Sequence, residues 1–225
     1  IPGFKGGDRE TIELPSIQSR LLAELKKAGK KIVFVNFSGS AIALTPETKT
    51  CDAILQAWYP GQAGGTAIAN VLFGDYNPAG RLPVTFYKST NQLPDFEDYS
   101  MKGRTYRYMT EAPLFPFGHG LSYTTFQYGN ASLNTPEIKD GEQVTLTIPV
   151  SNTGKYDGEE VVQIYLRRPG DKEGPSHALR AFKRVAIAKG TTNQVTIPLS
   201  KENFEWFDTG TNTMRPIEGE YEIPV

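Results

Sequence analysis

Cysteine and histidine are both scarce in this sequence of 225 residues. The single cysteine, Cys51, excludes an internal disulfide framework and any cysteine-rich metal site. The two histidines, His119 and His177, are too few for a histidine-rich zinc or iron centre. We therefore expect no metal and no cofactor. Any chemistry must rest on carboxylates, hydroxyls, amides and aromatic rings.

The sequence also lacks an excess of one charge and any long apolar run. Lysine and arginine total 24 against 25 acidic residues, which gives a net charge of -1, whereas a nucleic-acid binder needs a basic field. Apolar stretches such as residues 31–37 are too short to span a bilayer. We expect neither a nucleic-acid nor a membrane partner. The chain starts at Ile1 without a signal-peptide pattern, as a trimmed, cleaved or truncated product would, so this end does not indicate localisation.

Helix and strand signals alternate in the first part of the chain. The predicted elements are a helix between Pro15 and Gly29, strands at residues 31–37 and 53–59, and a helix at residues 67–73. Strands that alternate with helices through glycine-containing turns are typical of a parallel α/β sheet. Because about three strands do not complete such a sheet, residues 1–86 are predicted to be the C-terminal part of a larger α/β sandwich domain.

Two further segments follow. Residues 87–118 are rich in proline, glycine, tyrosine and charge, and are predicted to form an ordered connector. Residues 119–225 carry about seven short strands, predicted at residues 143–150, 160–166, 179–188, 194–199, 203–207 and 220–225 among others. This number of strands fits an immunoglobulin-like or fibronectin-type sandwich, and the lack of paired cysteines favours the fibronectin type III-like form. The predicted fold class is α/β followed by all-β.

Several residues have side chains or motifs that occur in active sites, but are predicted to have structural roles. The glycine-rich residues 60–66 lack the lysine of a phosphate loop and are interpreted as a tight turn. Ser38 follows a strand but not in a Gly-x-Ser-x-Gly elbow. His119, between two glycines, is interpreted as a structural or surface histidine, and Cys51 as a small buried apolar residue.

Paired carboxylates would suit glycoside hydrolysis, but no pair stands out. Glu97 and Asp98 lie in the connector, and Glu159 and Glu160 lie at a strand edge. All four are interpreted as solvated surface residues. Taken from the residues alone, the sequence predicts an architecture and no self-contained active site.

Long motifs nevertheless resemble the C-terminal half of family 3 glycoside hydrolases. They cover essentially the whole chain and comprise AWYPGQAGGTAIA at residues 57–69, LFGDYNPAGRLPVTF at 72–86, YRY at 106–108, FPFGHGLSYTTF at 115–126, VSNTG at 150–154 and GEEVVQIYL at 158–166. The resemblance is to β-xylosidase-like and β-glucosidase-like bacterial members. It implies the end of an α/β sandwich followed by a fibronectin-like domain.

The resemblance also implies a retaining, exo-acting hydrolase of terminal β-linked sugars. In that family an aspartate nucleophile comes from an N-terminal (β/α)8 barrel, and a glutamate acid/base usually comes from the following α/β sandwich. The barrel is missing from this chain, so the nucleophile is expected upstream of Ile1. The implied partners are therefore that barrel and a β-linked oligosaccharide substrate. This chain alone is predicted to be inactive, and the implied location is periplasmic or extracellular.

Asp8 and Arg9 are the residues that we predict to bind substrate. Many relatives carry Glu-Gly-x-Asp-Arg where this chain has Lys5-Gly6-Gly7-Asp8-Arg9. Because a lysine replaces that glutamate, the acid/base is expected upstream or elsewhere. By resemblance Asp8 and Arg9 lie near the face that covers the active site. From the residues themselves, an ion pair that shapes a loop and a substrate-binding rim both stay open.

Two alternatives to the glycosidase hypothesis are open. One is a stand-alone, non-catalytic β-sandwich module that binds polysaccharide or protein, which needs aromatic rings exposed on one face. Phe204, Trp206 and Phe207 are the candidates for that face, although their near alternation also fits a buried strand. The other is a plain structural domain with neither binding nor activity.

Overall fold

The computed structural model describes residues 4–5, 8–139 and 142–225, and for Phe4, Lys5 and Asp8 the backbone only. The chain forms two compact units. The first runs up to Phe73 and includes Leu82–His119, and the second consists of Gly74–Arg81 and Gly120–Val225. The chain therefore enters the second unit, returns to the first and then leaves it again. No helix in the described part of the chain is both long and apolar enough to cross a membrane.

The first unit is an α/β structure built on two parallel strands. Its elements are β1 (Phe4–Lys5), β2 (Asp8–Arg9), α1 (Ser16–Lys27), β3 (Val33–Asn36), α2 (Thr45–Thr50), β4 (Ala53–Gln56), α3 (Gly64–Phe73), a 3₁₀ turn (Thr90–Gln92) and α4 (Thr105–Tyr108). β3 and β4 pair in parallel, with Asn36 opposite Gln56, and β1 and β2 pair antiparallel. The predicted parallel arrangement is confirmed, although both strands are shorter than predicted.

Helix α1 carries an apolar stripe that the described residues of its unit leave exposed. Pro15 precedes its first residue, and Gly29, with a φ of 71°, follows its last turn. Ile17, Leu21 and Leu25 recur every fourth residue, which is the spacing of one helical face. Their exposed fractions are 59%, 60% and 39%, and no α1 residue is buried. The helix is amphipathic, but its apolar side faces outward.

Two antiparallel segments are hydrogen-bonded to each other in the part of the first unit that follows residue 81. The amide of Leu82 donates to the His119 carbonyl at 2.8 Å, and the amide of Phe86 donates to the Phe115 carbonyl at 2.9 Å. Phe86 is buried, and its ring contacts Trp58 and Phe115 edge-on, with centroids 6.1 and 6.4 Å away. The chain between these two segments, residues 87–114, therefore starts and ends next to one aromatic cluster.

The second unit is a β-sandwich. Its strands are β5 (Phe126–Tyr128), β6 (Ser132–Leu133), β7 (Val144–Asn152), β8 (Gly158–Leu166), β9 (Ala178–Ile187), β10 (Thr192–Leu199), β11 (Glu205–Asp208) and β12 (Thr213–Pro216), with a 3₁₀ turn at Lys201–Phe204. One sheet has the order β10-β7-β5, with β6 also on β7. β8 pairs with β9, and β11 pairs with β12. All pairs are antiparallel.

Strict alternation in β7 and β8 produces the core of this sandwich. Every second residue of β7, from Val144 to Val150, is buried, and so are Val162, Ile164 and Leu166 of β8. These side chains join residues of β9 and β10 in one apolar cluster. Side chains of period two from facing sheets fill a common layer, which is how a sandwich is stabilised.

The C-terminal strands differ from the prediction. The predicted strand at residues 220–225 is wrong, because only an isolated bridge joins Glu222 to Arg167 there. Pro224 has no amide proton, and only its carbonyl takes part, accepting from the Tyr165 amide at 3.0 Å. The strand predicted at residues 203–207 starts at Glu205, since Ser200 and Asn203 cap a 3₁₀ turn before it. β12 was not predicted, because its four residues, Thr213–Pro216, show no apolar alternation and three of them are exposed.

Candidate functional site

A polar cluster occupies the carboxyl ends of the two parallel strands of the first unit. The side-chain amide of Asn36, the last residue of β3, donates to Gln56 Oε1 at 2.6 Å and to Ser38 Oγ at 3.0 Å. The Gln56 amide donates to Ser38 Oγ at 3.1 Å. Asn36 and Ser38 are buried. Open α/β sheets bind their ligands beyond the carboxyl ends of the strands, so this edge is the candidate site of the unit.

Ser38 holds the loop after β3 rather than acting as a nucleophile. Its hydroxyl donates to the Ser40 carbonyl at 2.8 Å and accepts from both side-chain amides of the cluster. A hydroxyl whose proton is bound to a backbone carbonyl has no base to activate it. The cluster therefore fixes the backbone of residues 37–40, and Ser38 is a positioning residue.

Arg9 reaches this edge of the sheet. Its Nη2 atom donates to Ser40 Oγ at 3.1 Å, and the residue is exposed. The backbone of Asp8 pairs with Lys5 in the β1–β2 ribbon. The Asp8 side chain lies outside the described residues. The structure thus brings one of the two predicted substrate-binding residues to the loop of Ser38 and Ser40.

Trp58 and Tyr59 border the same edge, and the sequence interpretation did not include them in a site. Strand β4 ends at Gln56, and Trp58 adopts a φ of 56°, a left-handed conformation that a bulky residue takes only under constraint. Tyr59 is 78% exposed, and its ring lies against Gly39. A Cβ atom at Gly39 would stand 2.5 Å from the Tyr59 Cε2 atom. No local signal in the sequence pairs Gly39 with Tyr59, because the two residues are 20 positions apart.

The two histidines and the cysteine do not join this cluster in the contacts that the structure describes. His119 stacks on Phe115, with ring centroids 5.0 Å apart and an interplanar angle of 14°. His177 meets the Tyr165 ring edge-on, and burial lowers the pKa of its imidazole. Cys51, predicted to be a buried residue, is partly buried. Burial and the nearby carboxylates raise the pKa of its thiol, which keeps it protonated and unreactive.

The carboxylates fall into two groups. Glu97 and Asp98 are exposed, as predicted. Glu160 was predicted to be a surface residue, and this is wrong: it is 7% exposed, since the alternation of β8 turns it inward. Its neighbour Glu159 is ion-paired with Arg184, and that hydrogen bond lowers the pKa of the Glu159 carboxyl. The described residues contain no group of three or more histidine, cysteine or acidic side chains that could hold a metal ion.

Two of the three aromatic residues considered for a sugar-binding sandwich face are core residues. Phe204 and Trp206 are 7% and 6% exposed and belong to the apolar cluster of the sandwich. The Arg180 guanidinium lies 4.5 Å from the centre of the Trp206 ring and covers it. Only Phe207 is exposed. These three residues therefore do not form a flat platform.

Comparison with known families decides the family. Residues 4–123 match the Glycosyl hydrolase family 3 C-terminal domain, and residues 160–225 match the Fibronectin type III-like domain. This chain belongs to glycoside hydrolase family 3. The α/β unit and the β-sandwich of this family 3 chain correspond to those two domains, and the predicted fold class is confirmed.

Named relatives of this family 3 chain are glycosidases. A xylan 1,4-β-xylosidase of Xylanibacter ruminicola is 58% identical over 99% of the chain, which spans 26% of that protein. A periplasmic β-glucosidase of Salmonella typhimurium is 37% identical over 91% of the chain, which spans 28% of it.

Solved structures of the family share the fold. A β-glucosidase from Erythrobacter marinus matches 99% of the chain with a TM-score of 0.84 and 36% identity. A β-glucosidase from Listeria innocua in complex with isofagomine matches 98% with a TM-score of 0.81 and 29% identity. The chain spans 30% and 32% of those two proteins, so it corresponds to less than a third of each.

Proposed function

We propose that this chain is the C-terminal portion of a retaining, exo-acting β-glycosidase, a β-xylosidase or β-glucosidase, that hydrolyses terminal β-linked sugars. The observation that carries the proposal is its 58% identity, over 99% of its length, to a xylan 1,4-β-xylosidase of which it spans 26%. In a retaining mechanism one carboxylate attacks the anomeric carbon and a second alternates between acid and base. Both carboxylates are proposed to lie in the larger share of the enzyme, upstream of these residues.

The exposed apolar stripe of α1 supports a partner of this kind. Ile17, Leu21 and Leu25 present a continuous apolar face, and Val33 of β3 is 53% exposed. An apolar face of this type marks a surface that another part of a protein covers. We propose that the remaining α/β domain, together with the N-terminal barrel, packs there in the full-length enzyme.

Asp8 and Arg9 are proposed to lie on the rim of the sugar pocket. Arg9 donates one hydrogen bond to Ser40, and a guanidinium carries five N–H donors in all, a geometry that suits sugar hydroxyls and carboxylates. In the full-length enzyme we expect Arg9→Ala to raise KM for a β-linked disaccharide about tenfold, as the loss of one charge-assisted hydrogen bond would. Arg9→Lys should recover only part of this, because lysine lacks the forked geometry.

Hydrolysis of an aryl β-xyloside and an aryl β-glucoside tests the proposed function directly. The full-length enzyme should cleave at least one of them with retention, and the ratio of the two rates gives the sugar preference. This chain in isolation should cleave neither. Clear turnover by the isolated chain would contradict the proposal, and so would a full-length protein that is folded but cleaves no β-glycoside.

The stand-alone binding module remains the alternative, and it loses support because Phe204 and Trp206 are buried. Gel-shift binding of the isolated chain to xylan or cellulose discriminates between the two functions. We propose a periplasmic or extracellular location, supported by the relative named a periplasmic β-glucosidase. The division into residues 1–86, a connector at 87–118 and a fibronectin-like domain at 119–225 stays a prediction.

A further inference from the structure

The hydroxyl end of the Tyr59 ring packs against a glycine, Gly39, at the candidate site. The nearest atoms to a Cβ built at Gly39 are three atoms of the Tyr59 ring end, Cε2 at 2.5 Å, Cζ at 3.2 Å and the hydroxyl oxygen at 3.3 Å. Only a residue without a side chain permits this approach. The ring is nevertheless 78% exposed, so its contact with Gly39 leaves most of its surface open to solvent.

The residues next to Tyr59 and Gly39 fix the positions of both partners in this contact. Trp58 turns the chain with its left-handed φ of 56°, and its own ring is fixed edge-on against buried Phe86. Gly39 lies between Ser38 and Ser40, whose backbone is fixed by the hydrogen bond from Ser38 Oγ to the Ser40 carbonyl. Strain of this kind concentrates at functional sites, where it presets the geometry of a side chain.

The surroundings of the ring suit a carbohydrate. A pyranose ring presents apolar C–H groups on its face and hydroxyls at its edge, so it pairs with an aromatic face bordered by polar groups. Ser40 follows Gly39 directly in the chain, and the Arg9 guanidinium donates to Ser40 Oγ at 3.1 Å. The Tyr59 ring and the Arg9 guanidinium thus contact two successive residues of one loop, Gly39 and Ser40.

We propose that Tyr59, supported by Gly39, is a stacking platform for the sugar unit on the leaving-group side of the scissile bond in a β-linked oligosaccharide. The inference rests on the proposed function. An exo-acting enzyme holds the terminal sugar next to its nucleophile, which is proposed to lie upstream of this chain. The sugar unit that can lie at the carboxyl edge of β3 and β4 is therefore the second one of the oligosaccharide. Tyr59 then governs the preference for the leaving group and not for the terminal sugar that is released.

The test compares two substrates in the full-length enzyme, a β-linked disaccharide and the β-glycosyl fluoride of the same terminal sugar. Fluoride is a leaving group without a ring and cannot stack. We expect Tyr59→Ala to lower kcat/KM for the disaccharide about tenfold and to leave the glycosyl fluoride within about twofold. Tyr59→Phe should match the wild type on both substrates, because stacking needs the ring and not the hydroxyl.

Two further variants separate stacking from packing. Gly39→Ala keeps Tyr59 but displaces its ring, and should reproduce the loss on the disaccharide alone. Tyr156→Ala, which removes a tyrosine that is 60% exposed in the β-sandwich, is the matched control and should change neither rate. Thermal unfolding of each variant should stay within about 2 °C of the wild type, as expected for an exposed side chain.

Two results would overturn the inference and leave the proposed function intact. One is an unchanged rate of Tyr59→Ala on both substrates. The other is an equal loss on both substrates together with a lowered melting temperature, which would make Tyr59 a packing contact with another part of the enzyme. A folded wild-type enzyme that cleaves neither substrate would instead refute the proposed function, and the inference with it.

Discussion

Arg81 and Glu160 form a buried ion pair in the second unit, with 2.7 Å between Arg81 Nη2 and Glu160 Oε2. The two side chains are only 12% and 9% exposed. The Tyr128 hydroxyl donates to the other carboxylate oxygen at 3.2 Å, and burial together with the Glu160 charge raises the pKa of Tyr128. The other terminal nitrogen of the guanidinium, Arg81 Nη1, donates to the carbonyl oxygens of Ala79 and Gly80. Every charge in this buried cluster is thus partnered.

Removing the Glu160 charge should destabilise the sandwich strongly. Glu160→Gln leaves the Arg81 guanidinium buried without a counter-charge, for which we expect a loss of about 3 kcal/mol in the free energy of unfolding. Glu159→Gln is the matched control, since the pair of Glu159 with Arg184 is half-exposed and should contribute under about 1 kcal/mol. Urea denaturation of both variants measures the difference. Equal effects from the two neighbours would contradict a buried pair.

Asn152, at the end of β7, should be as important as a core residue. It is 1% exposed, and its amide donates to the carbonyls of Tyr156 and Ile187 at 2.8 and 2.9 Å. Its oxygen accepts from Thr124 Oγ1 at 2.6 Å. Asn152→Ala leaves these groups buried without partners, and we expect a loss of about 3 kcal/mol. Asn193→Ala, at an exposed position, should cost under about 1 kcal/mol in the same denaturation experiment.

Trp206 and Phe207 are adjacent residues with opposite environments. Trp206→Ala removes a large side chain from the apolar cluster and should lower the free energy of unfolding by about 4 kcal/mol. Phe207→Ala truncates a ring that is 56% exposed and should cost under about 1 kcal/mol. Chemical denaturation compares them. A stable Trp206→Ala variant that had lost affinity for xylan would instead revive the binding-module hypothesis.

Asp52 should make the first unit sensitive to acid. The Ile32 amide and the Lys31 ammonium group hydrogen-bond its carboxylate, and together they lower the pKa of Asp52 to about 2. In the unfolded chain that pKa is about 3.9. A lowered folded-state pKa means that the stabilisation is complete above pH ~4 and is lost as the pH falls towards about 2.

Thermal unfolding of Asp52→Asn at several pH values tests this linkage. The variant should melt below the wild type at pH 7, and the gap should close as the pH falls from about 4 to about 2. Asp75→Asn, at an exposed position, serves as the control and should follow the wild type throughout. A gap that stays constant down to pH 2 would show that the Asp52 charge contributes nothing.

The sandwich was predictable because its signal is local. Alternation from Val144 to Val150 reports burial directly, since a strand turns every second side chain to the same face. The same rule places Glu160 inside, but a glutamate is ordinarily a surface residue, and its partner Arg81 lies 79 positions away. Burial of a charge depends on such a distant partner. A single sequence does not identify it.

The candidate site was less predictable for the same reason. Its centre joins Asn36 to Gln56, which are 20 positions apart and meet only because β3 and β4 pair in register. Arg9 was identified by resemblance, not by its contact with Ser40. Tyr59 is directed by the positive φ of Trp58, a conformation that tryptophan does not favour and that no propensity predicts.

Because the chain enters the second unit twice, the two units cannot be exchanged between proteins by a single crossover, in evolution or in engineering. Gly74–Arg81 belongs to the sandwich although thirty-odd residues of the first unit follow it in sequence (Leu82–His119). A chimaera of two family members joined at a single point near residue 120 would therefore combine Arg81 of one parent with Glu160 of the other. In such a hybrid the two members of the buried ion pair come from different parents. Positions 81 and 160 must therefore still carry opposite charges before either domain can be replaced.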